Sequence, residues 1–265
     1  LTDRRGDLAR RMAIFAAMVD RMDRNIGRVL TSLRQNKELE NTLIIFTSDN
    51  GACAEWDPHG FDIKSSRNNT LYWGEQLDKM GGPDTHHSVG SGWANASNTP
   101  WRLYKHFNHE GGIASPGIVH WPAQVQQAGT IIATPAHIID IVPTLLEASQ
   151  VKYPSQWDGD STLPLPGQSL IPLVKGKKQE ERTLYFEHQG NRAIREGRWK
   201  LSAIRGEPWE LYDISQDRTE LHNLAQQRPD LVAPLAQKWD TWAQENFVFP
   251  FPKDYRIDYL PPLKE

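Results

Sequence analysis

Between Asp7 and Gly51 the sequence passes from a long amphipathic repeat, through a turn, into a short apolar run. That order restricts the fold more than any other feature. Leu8, Met12, Phe15, Val19, Met22, Ile26, Val29 and Leu33 recur at three- and four-residue spacing, which predicts a helix from about Asp7 to Gln35 with one apolar stripe. Asp20, Arg21, Asp23, Arg24 and Arg28 fall on the other face, as a solvated surface with local ion pairs would. After the turn-like Glu40-Asn41, the residues Leu43, Ile44, Ile45 and Phe46 are too few for a helix and read as a strand buried on both faces. A helix, a short loop and a buried strand make half of an α/β crossover unit, so a parallel sheet is expected.

The polar residues that close this run, Thr47, Ser48, Asp49, Asn50 and Gly51, arrive together. In an open parallel sheet, ligands bind outside the carboxyl ends of the strands. The Asp49 carboxylate beside the Asn50 side-chain carbonyl is a hard oxygen pair suited to Ca²⁺ or Mg²⁺, and Gly51 lets the backbone turn away without a side chain. Asp-Asn-Gly is also ordinary turn chemistry, and on these residues alone a plain loop stays open as a reading.

At 265 residues, with 38% hydrophobic and 24% charged, the chain suits one large domain or a large and a small one, each with a core. A formal net charge of −3 and the lack of a broad basic face argue against a nucleic-acid partner. The single cysteine, Cys53, excludes an intrachain disulfide and, with no histidine placed to activate it, reads as a buried thiol. No apolar run reaches membrane-spanning length, and no signal-peptide pattern opens the chain. Leu1-Thr2-Asp3-Arg4-Arg5 has no initiator Met and leads at once into a helix, so the sequence is expected to start inside something larger.

From Ala52 to Asn98 no period holds for long, and a loop of that length is more often functional than idle. His86-His87 within it is adjacent rather than spaced for a metal, which favours a surface or wall role. Next comes Thr99-Pro100-Trp101-Arg102-Leu103-Tyr104-Lys105-His106-Phe107-Asn108-His109-Glu110-Gly111-Gly112. Arg102 and Lys105 are three apart and would share one helical face, where two cations suit an anion or merely a solvated surface. Glu110 can neutralise one of them. Gly111-Gly112 permits a tight path before a short strand at Ile118-Val119.

Thr47 to Gly51, followed by Lys105 and then Glu110-Gly111-Gly112, resembles the sulfatase family of the alkaline phosphatase superfamily, in particular its arylsulfatase-like members. The resemblance continues in the family's order through Ile139 to Leu146, Gln168-Ser169-Leu170, Trp199-Lys200-Leu201 and Trp209 to Asp213, up to about Asn246. It implies that Asp49 and Asn50 are two ligands of a Ca²⁺, with Mg²⁺ as the other candidate, that holds sulfate oxygens. It implies that Lys105 contacts the same sulfate. A divalent cation and an ammonium would stabilise the charge that spreads over the oxygens during transfer. A sulfated small molecule or glycan is the implied partner, and a periplasmic or secreted location is implied on the same basis. His188, Asn191 and Arg192, with Arg102 and His109, are candidates for holding the rest of the substrate.

Several features depart from the family pattern. The family's nucleophile is a Cys or Ser with Pro two positions and Arg four positions on, converted to formylglycine, and no such pattern occurs here. The N-terminal aspartate pair and the Lys and His expected before the long helix are also missing, so a missing N-terminal half of the same protein is the expected partner of this chain. Ala114 stands where the family usually has Arg. A phosphatase or phosphonate hydrolase of the same superfamily, or a non-catalytic fragment that binds sulfated glycans, are the alternatives.

In the second half, Ala136 to Ala148 reads as a helix bent before Pro143, with His137 and Asp140 as a structural pair. Lys152 to Pro172 reads as a linker rich in Pro, Gly and Ser. Short strands are predicted at 183–188, 192–195, 199–204 and 210–213, parted by Gly190, Gly197 and Gly206, then a helix from Pro229 to Gln244 and an extended tail over 247–265. The expected architecture is therefore α/β: an alkaline-phosphatase-like, mostly parallel sheet flanked by helices and incomplete here, plus a small C-terminal antiparallel sheet packed by a helix. Residues 1–172 would belong to the catalytic α/β domain and 173–265 to a small C-terminal α+β subdomain and tail.

Overall fold

The computed structural model describes residues 3–55, 58–62, 71–125 and 128–249. In chain order they form α1 (Arg5–Gln35), β1 (Ile44–Thr47), α2 (Gly90–Asn98), α3 (Glu110–Ile113), β2 (Gly117–His120), α4 (Ile141–Ser149), β3 (Gln156–Trp157), β4 (Asp160–Ser161) and α5 (Ile171–Val174). They continue with β5 (Thr183–His188), β6 (Asn191–Glu196), β7 (Trp199–Ala203), β8 (Glu210–Asp213) and α6 (Pro229–Glu245). From Pro250 onward the expected extended tail lies outside the described residues. The chain divides into two compact units: Leu1–Asp23, Asn50–Ser115 and Glu181–Glu265 make the first, Arg24–Asp49 and Pro116–Glu180 the second. These units are discontinuous in sequence, unlike a single cut near residue 172.

The first unit is built on an antiparallel meander in the order β5-β6-β7-β8. Gly190 (φ 88°) and Gly197 (φ 55°) supply the left-handed turn positions between the first three strands. Ile194 pairs with Leu201, and Leu201 with Leu211, so three fully buried aliphatic side chains form one row across the sheet. Leu235, Trp239 and Ala243 of α6 close over that row. Each buried leucine or isoleucine here stabilises the fold by roughly 1.5–3 kcal/mol. Because side chains alternate, Lys200 and Ser202 of β7, with Tyr212 and Glu210 opposite them on β8, face the other way. All but the half-buried Glu210 are buried too.

Within the same unit, the loop expected from Ala52 to Asn98 contains α2, a correction to the sequence reading. Gly90, Gly92, Asn95 and Asn98 are poor helix formers, and packing overrides them. Ala94 is fully buried, and the Trp93 indole donates to the Leu8 carbonyl at 2.8 Å. α1 matches its predicted span, but its buried residues are charged: Asp7 and Arg11. Arg11 donates to Asp7 (2.7 Å), Asp62 (2.8 Å) and the carbonyls of Phe61 (2.9 Å) and Ser88 (3.1 Å), which offsets its desolvation. The apolar stripe stays partly exposed instead, with Val19 at 42% and Val29 at 60%. His87 pairs with Asp62 at 2.8 Å and His86 packs edge-on against Phe61.

In the second unit β1 pairs with β2 in antiparallel register, Ile45 opposite Val119 and Thr47 opposite Gly117. The expected parallel pairing is thus corrected for the described residues. The long connection leaves β1 beyond Thr47 and re-enters at Gly117, the residue opposite, so β2 must run backwards. Burial on both faces is corrected as well, since Phe46 is 36% and Ile118 58% exposed. Among the described residues no further strand joins this pair. α4 follows a 3-10 turn at Ile138–Asp140. Asp140, fully buried, accepts from the backbone N–H groups of His137 (2.8 Å) and Gln168 (2.9 Å), and Thr144 accepts from that of Leu170 (2.9 Å). The Ile139 to Leu146 and Gln168 to Leu170 motifs are therefore two halves of one fastening, and the supposed linker carries the β3–β4 hairpin.

Candidate functional site

The residues after β1 and those before α3 are laid against each other by main-chain hydrogen bonds in the first unit. Gly51 N donates to Gly112 O at 2.9 Å and Lys105 N donates to Ala52 O at 3.0 Å. Asn98, the last residue of α2, fastens the crossing: its Oδ1 accepts from Ala52 N (3.0 Å) and its Nδ2 donates to Leu103 O (2.9 Å) and Gly111 O (2.8 Å). The three glycines are required by space. A Cβ on Gly51 would collide with Gly111 O, one on Gly111 with Leu103 O, and one on Gly112 with Phe107 O. Sequence reasoning found the glycines and missed Asn98, whose only signal is its place just before Thr99-Pro100.

The segment from Arg102 to Glu110 rests on the polar face of the meander. Asn108 donates to Asn191 O (2.9 Å), Asn191 to His106 O (2.8 Å) and Ser202 to Asn108 O (3.2 Å). Arg102 reaches Glu210 (3.1 Å) and the Tyr212 hydroxyl (2.7 Å), and His109 reaches Glu210 at 2.7 Å. Burial pushes the Glu210 carboxyl up, but His109 and Arg102 outweigh it and bring it down to about 2. Lys200, fully buried, lies 2.9 Å from both Glu110 and Glu220, and Arg218 lies 3.1 Å from Glu110. Burial raises the Glu110 carboxyl, and Lys200 with Arg218 holds it below the usual range despite that. The Trp199-Lys200-Leu201 and Glu210-Leu211-Tyr212 motifs thus serve the Lys105 loop through alternate residues.

Lys105 itself extends from this loop to Glu55, with Nζ 3.3 Å from Oε1. The same carboxyl oxygen lies 3.1 Å from His106 Nε2, and His106 Nδ1 lies 3.1 Å from His188 Nε2. Cys53 Sγ is 3.4 Å from the other oxygen of Glu55, and burial first, then Glu55, pushes the thiol up to about 11, in keeping with an unreactive cysteine. His106 has φ 86°, a left-handed conformation that costs a non-glycine residue about 1–3 kcal/mol. Of the residues singled out from sequence, Lys105 and His188 meet at this carboxylate-imidazole cluster. Arg102, His109 and Asn191 hold the loop, with His109 and Asn191 buried. Arg192 lies 4.4 Å over the Trp209 ring and donates to Glu207 O. Glu55 and His106 carried no sequence signal.

Asp49 is exposed after β1, and Asn50 is half-buried with Nδ2 donating to Gly51 O at 2.8 Å. By residue type, Asp49 and Asn50 bring two of the six or more oxygen donors that a Ca²⁺ or Mg²⁺ shell takes. Among the described residues no group of three or more His, Cys, Asp or Glu is gathered for a metal, and no helix is long and apolar enough to cross a membrane.

A family model described as Sulfatase matches residues 2–151, and one described as N-sulphoglucosamine sulphohydrolase, C-terminal, matches residues 100–244. An uncharacterized sulfatase of Schizosaccharomyces pombe is 36% identical over 197 residues, covering 72% of this chain and 35% of its own. The arylsulfatase of Klebsiella aerogenes is 30% identical over 175 residues, covering 66% of this chain and 37% of its own. The crystal structure of Ps i-CgsB in complex with k-i-k-neocarrahexaose superposes with a TM-score of 0.62 over 88% of this chain and 43% of that one, at 24% identity. This last likeness concerns the fold. The chain spans about a third of the length of the two curated relatives.

Proposed function

Since this chain belongs to the sulfatase family, we propose that it is the C-terminal part of an arylsulfatase-like hydrolase of sulfate esters. The observation that carries the reading is the crossing in which Lys105 N bonds to Ala52 O and Gly51 N to Gly112 O. That crossing ties the backbone of the Asn50 segment to that of the Lys105 segment. Asp49 and Asn50 would contribute two oxygen ligands to a Ca²⁺, with Mg²⁺ as substitute, and the cation would supply a positive charge against the sulfate oxygens. Lys105 would place its ammonium on the same group, and the loop contacts to β6, β7 and β8 would keep it there without reorganisation. The nucleophile, a formylglycine, and the remaining metal ligands would lie in an N-terminal half that completes the site. The substrate class is a sulfated small molecule or glycan, supported by the oligosaccharide bound to Ps i-CgsB. A periplasmic or secreted location follows the same resemblance.

The test is p-nitrophenyl sulfate hydrolysis by residues 1–265 alone and by the protein that carries them with its upstream sequence. The longer protein is expected to turn over and the 265-residue chain to be inactive. Lys105→Ala in the longer protein should lower kcat by about 10²–10³-fold, the loss seen when one group stabilising transition-state charge is removed. Full activity of Lys105→Ala would overturn the assignment.

A further inference from the structure

We propose that Glu55, His106 and His188 form a proton relay whose outer member, His188, is an acid–base residue beside Lys105. This rests on the sulfate-ester reading above and gives His188, read from sequence only as a candidate for holding substrate, a part in proton transfer. Three contacts carry it: His106 Nε2 to Glu55 Oε1 at 3.1 Å, His106 Nδ1 to His188 Nε2 at 3.1 Å, and Lys105 Nζ to Glu55 Oε1 at 3.3 Å.

The hydrogen positions follow from what each atom can do. An ionised carboxylate only accepts, so His106 must carry its hydrogen on Nε2. A neutral His106 then has a lone pair at Nδ1, which takes the Nε2 hydrogen of His188. A neutral His188 is left with its lone pair on Nδ1, and the residue is exposed at the end of β5. Among the described residues no hydrogen bond reaches His188 Nδ1, which leaves it as the open base of the set. When it takes a proton from a hydroxyl, the Nε2 hydrogen of His188 can pass to His106 Nδ1 and that of His106 toward Glu55. One proton enters, none is lost, and the positive charge is shared between two imidazoles against one carboxylate. The reverse flow returns the proton to a departing alkoxide.

The surroundings suit the task. Burial lowers the proton affinity of both imidazoles. Around His106 stand Glu55, which opposes that effect, and His188 and Lys105, which add to it. Around His188 stand Glu187 and Glu55, which oppose it, and Lys105, which adds to it. Both rings are thereby biased toward the neutral form, the one with a lone pair to offer. Burial raises the Glu55 carboxyl, yet contacts with Cys53, Lys105 and His106 hold it ionised. The protein also keeps His106 at φ 86°, with Asn191 Nδ2 donating to its carbonyl at 2.8 Å, which fixes the ring between its two partners.

The test uses the protein carrying residues 1–265, with imidazole ¹⁵N spectra and sulfate-ester kinetics side by side. Both His106 and His188 should show the Nε2–H tautomer at pH 8, and Glu55→Gln should lower the His188 titration midpoint by about 0.5 unit or more. A Nδ1–H tautomer at His188, or a midpoint unmoved by Glu55→Gln, would overturn the relay. His188→Gln lies on the surface, should fold normally, and should lower kcat about 10²–10⁴-fold with little change in KM and loss of the matching limb of the pH profile. An active parent with unchanged kcat in His188→Gln sinks the relay and spares the sulfatase reading. A parent inactive on sulfate esters sinks that reading, while the spectra still decide whether the relay exists.

Discussion

β7 and β1 are both short strands with aliphatic residues, and they end up in opposite conditions. In β7, Leu201 is fully buried between Ile194 and Leu211 and capped by α6, while even Lys200 on its other face is covered by the Glu110 segment. In β1, Phe46 is 36% exposed, and its partner strand carries Ile118 at 58%. The second unit repeats this on α4, where Val142 is 48% and Leu145 49% exposed. An apolar pattern states which side chains favour cover; only the rest of the fold supplies it. The meander is closed on both faces by described elements, and the β1–β2 pair is closed by none of comparable extent.

The comparison can be broken most easily at Lys200. Lys200→Met leaves the buried Glu220 carboxylate without its ion-pair partner and Glu110 with Arg218 alone, and a loss of about 3–5 kcal/mol is expected by urea denaturation. Leu201→Ala opens a cavity in the sealed row and should cost about 2–5 kcal/mol in the same measurement. Gly112→Ala forces a Cβ onto Phe107 O; about 1–3 kcal/mol is expected, with faster exchange of the Gly51 and Lys105 amides.

A smaller effect comes from acid. The Glu210 carboxyl is depressed to about 2 in the folded protein, against about 4.3 when unfolded. Its contribution is therefore complete above pH ~4.3 and is lost as pH falls toward ~2. Urea midpoints taken across that window should fall in the parent and fall less in Glu210→Gln. Ile118→Ser is the mildest change: within about 0.5 kcal/mol of the parent, with less aggregation in light scattering. A loss as large as that of Leu201→Ala would erase the contrast between the strands.

Periodicity made α1, α6 and the four strands of the meander legible, because each has one face against a single partner. It could not show that β7 is covered on both sides, since a lysine at an alternate position normally signals solvent. The burial of Asp7 and Arg11 was hidden for the same reason: their partners Asp62, Ser88 and Tyr72 come from distant loops. The direction of β2 depended on where a long connection re-enters, which no local pattern encodes. At the candidate site, Asp49, Asn50, Lys105 and the glycines stood out by residue type. Asn98, Glu55 and His106 did not, because most of the contacts that define their roles lie 13 to 82 residues away along the chain.

The crossing of Gly51 with Gly111 and Gly112 leaves no volume even for a methyl group. Mutational drift at that corner is therefore closed off, and its shape is inherited as bare main chain. Sequence change would have to proceed on the flanks, at side chains that take no part in the crossing.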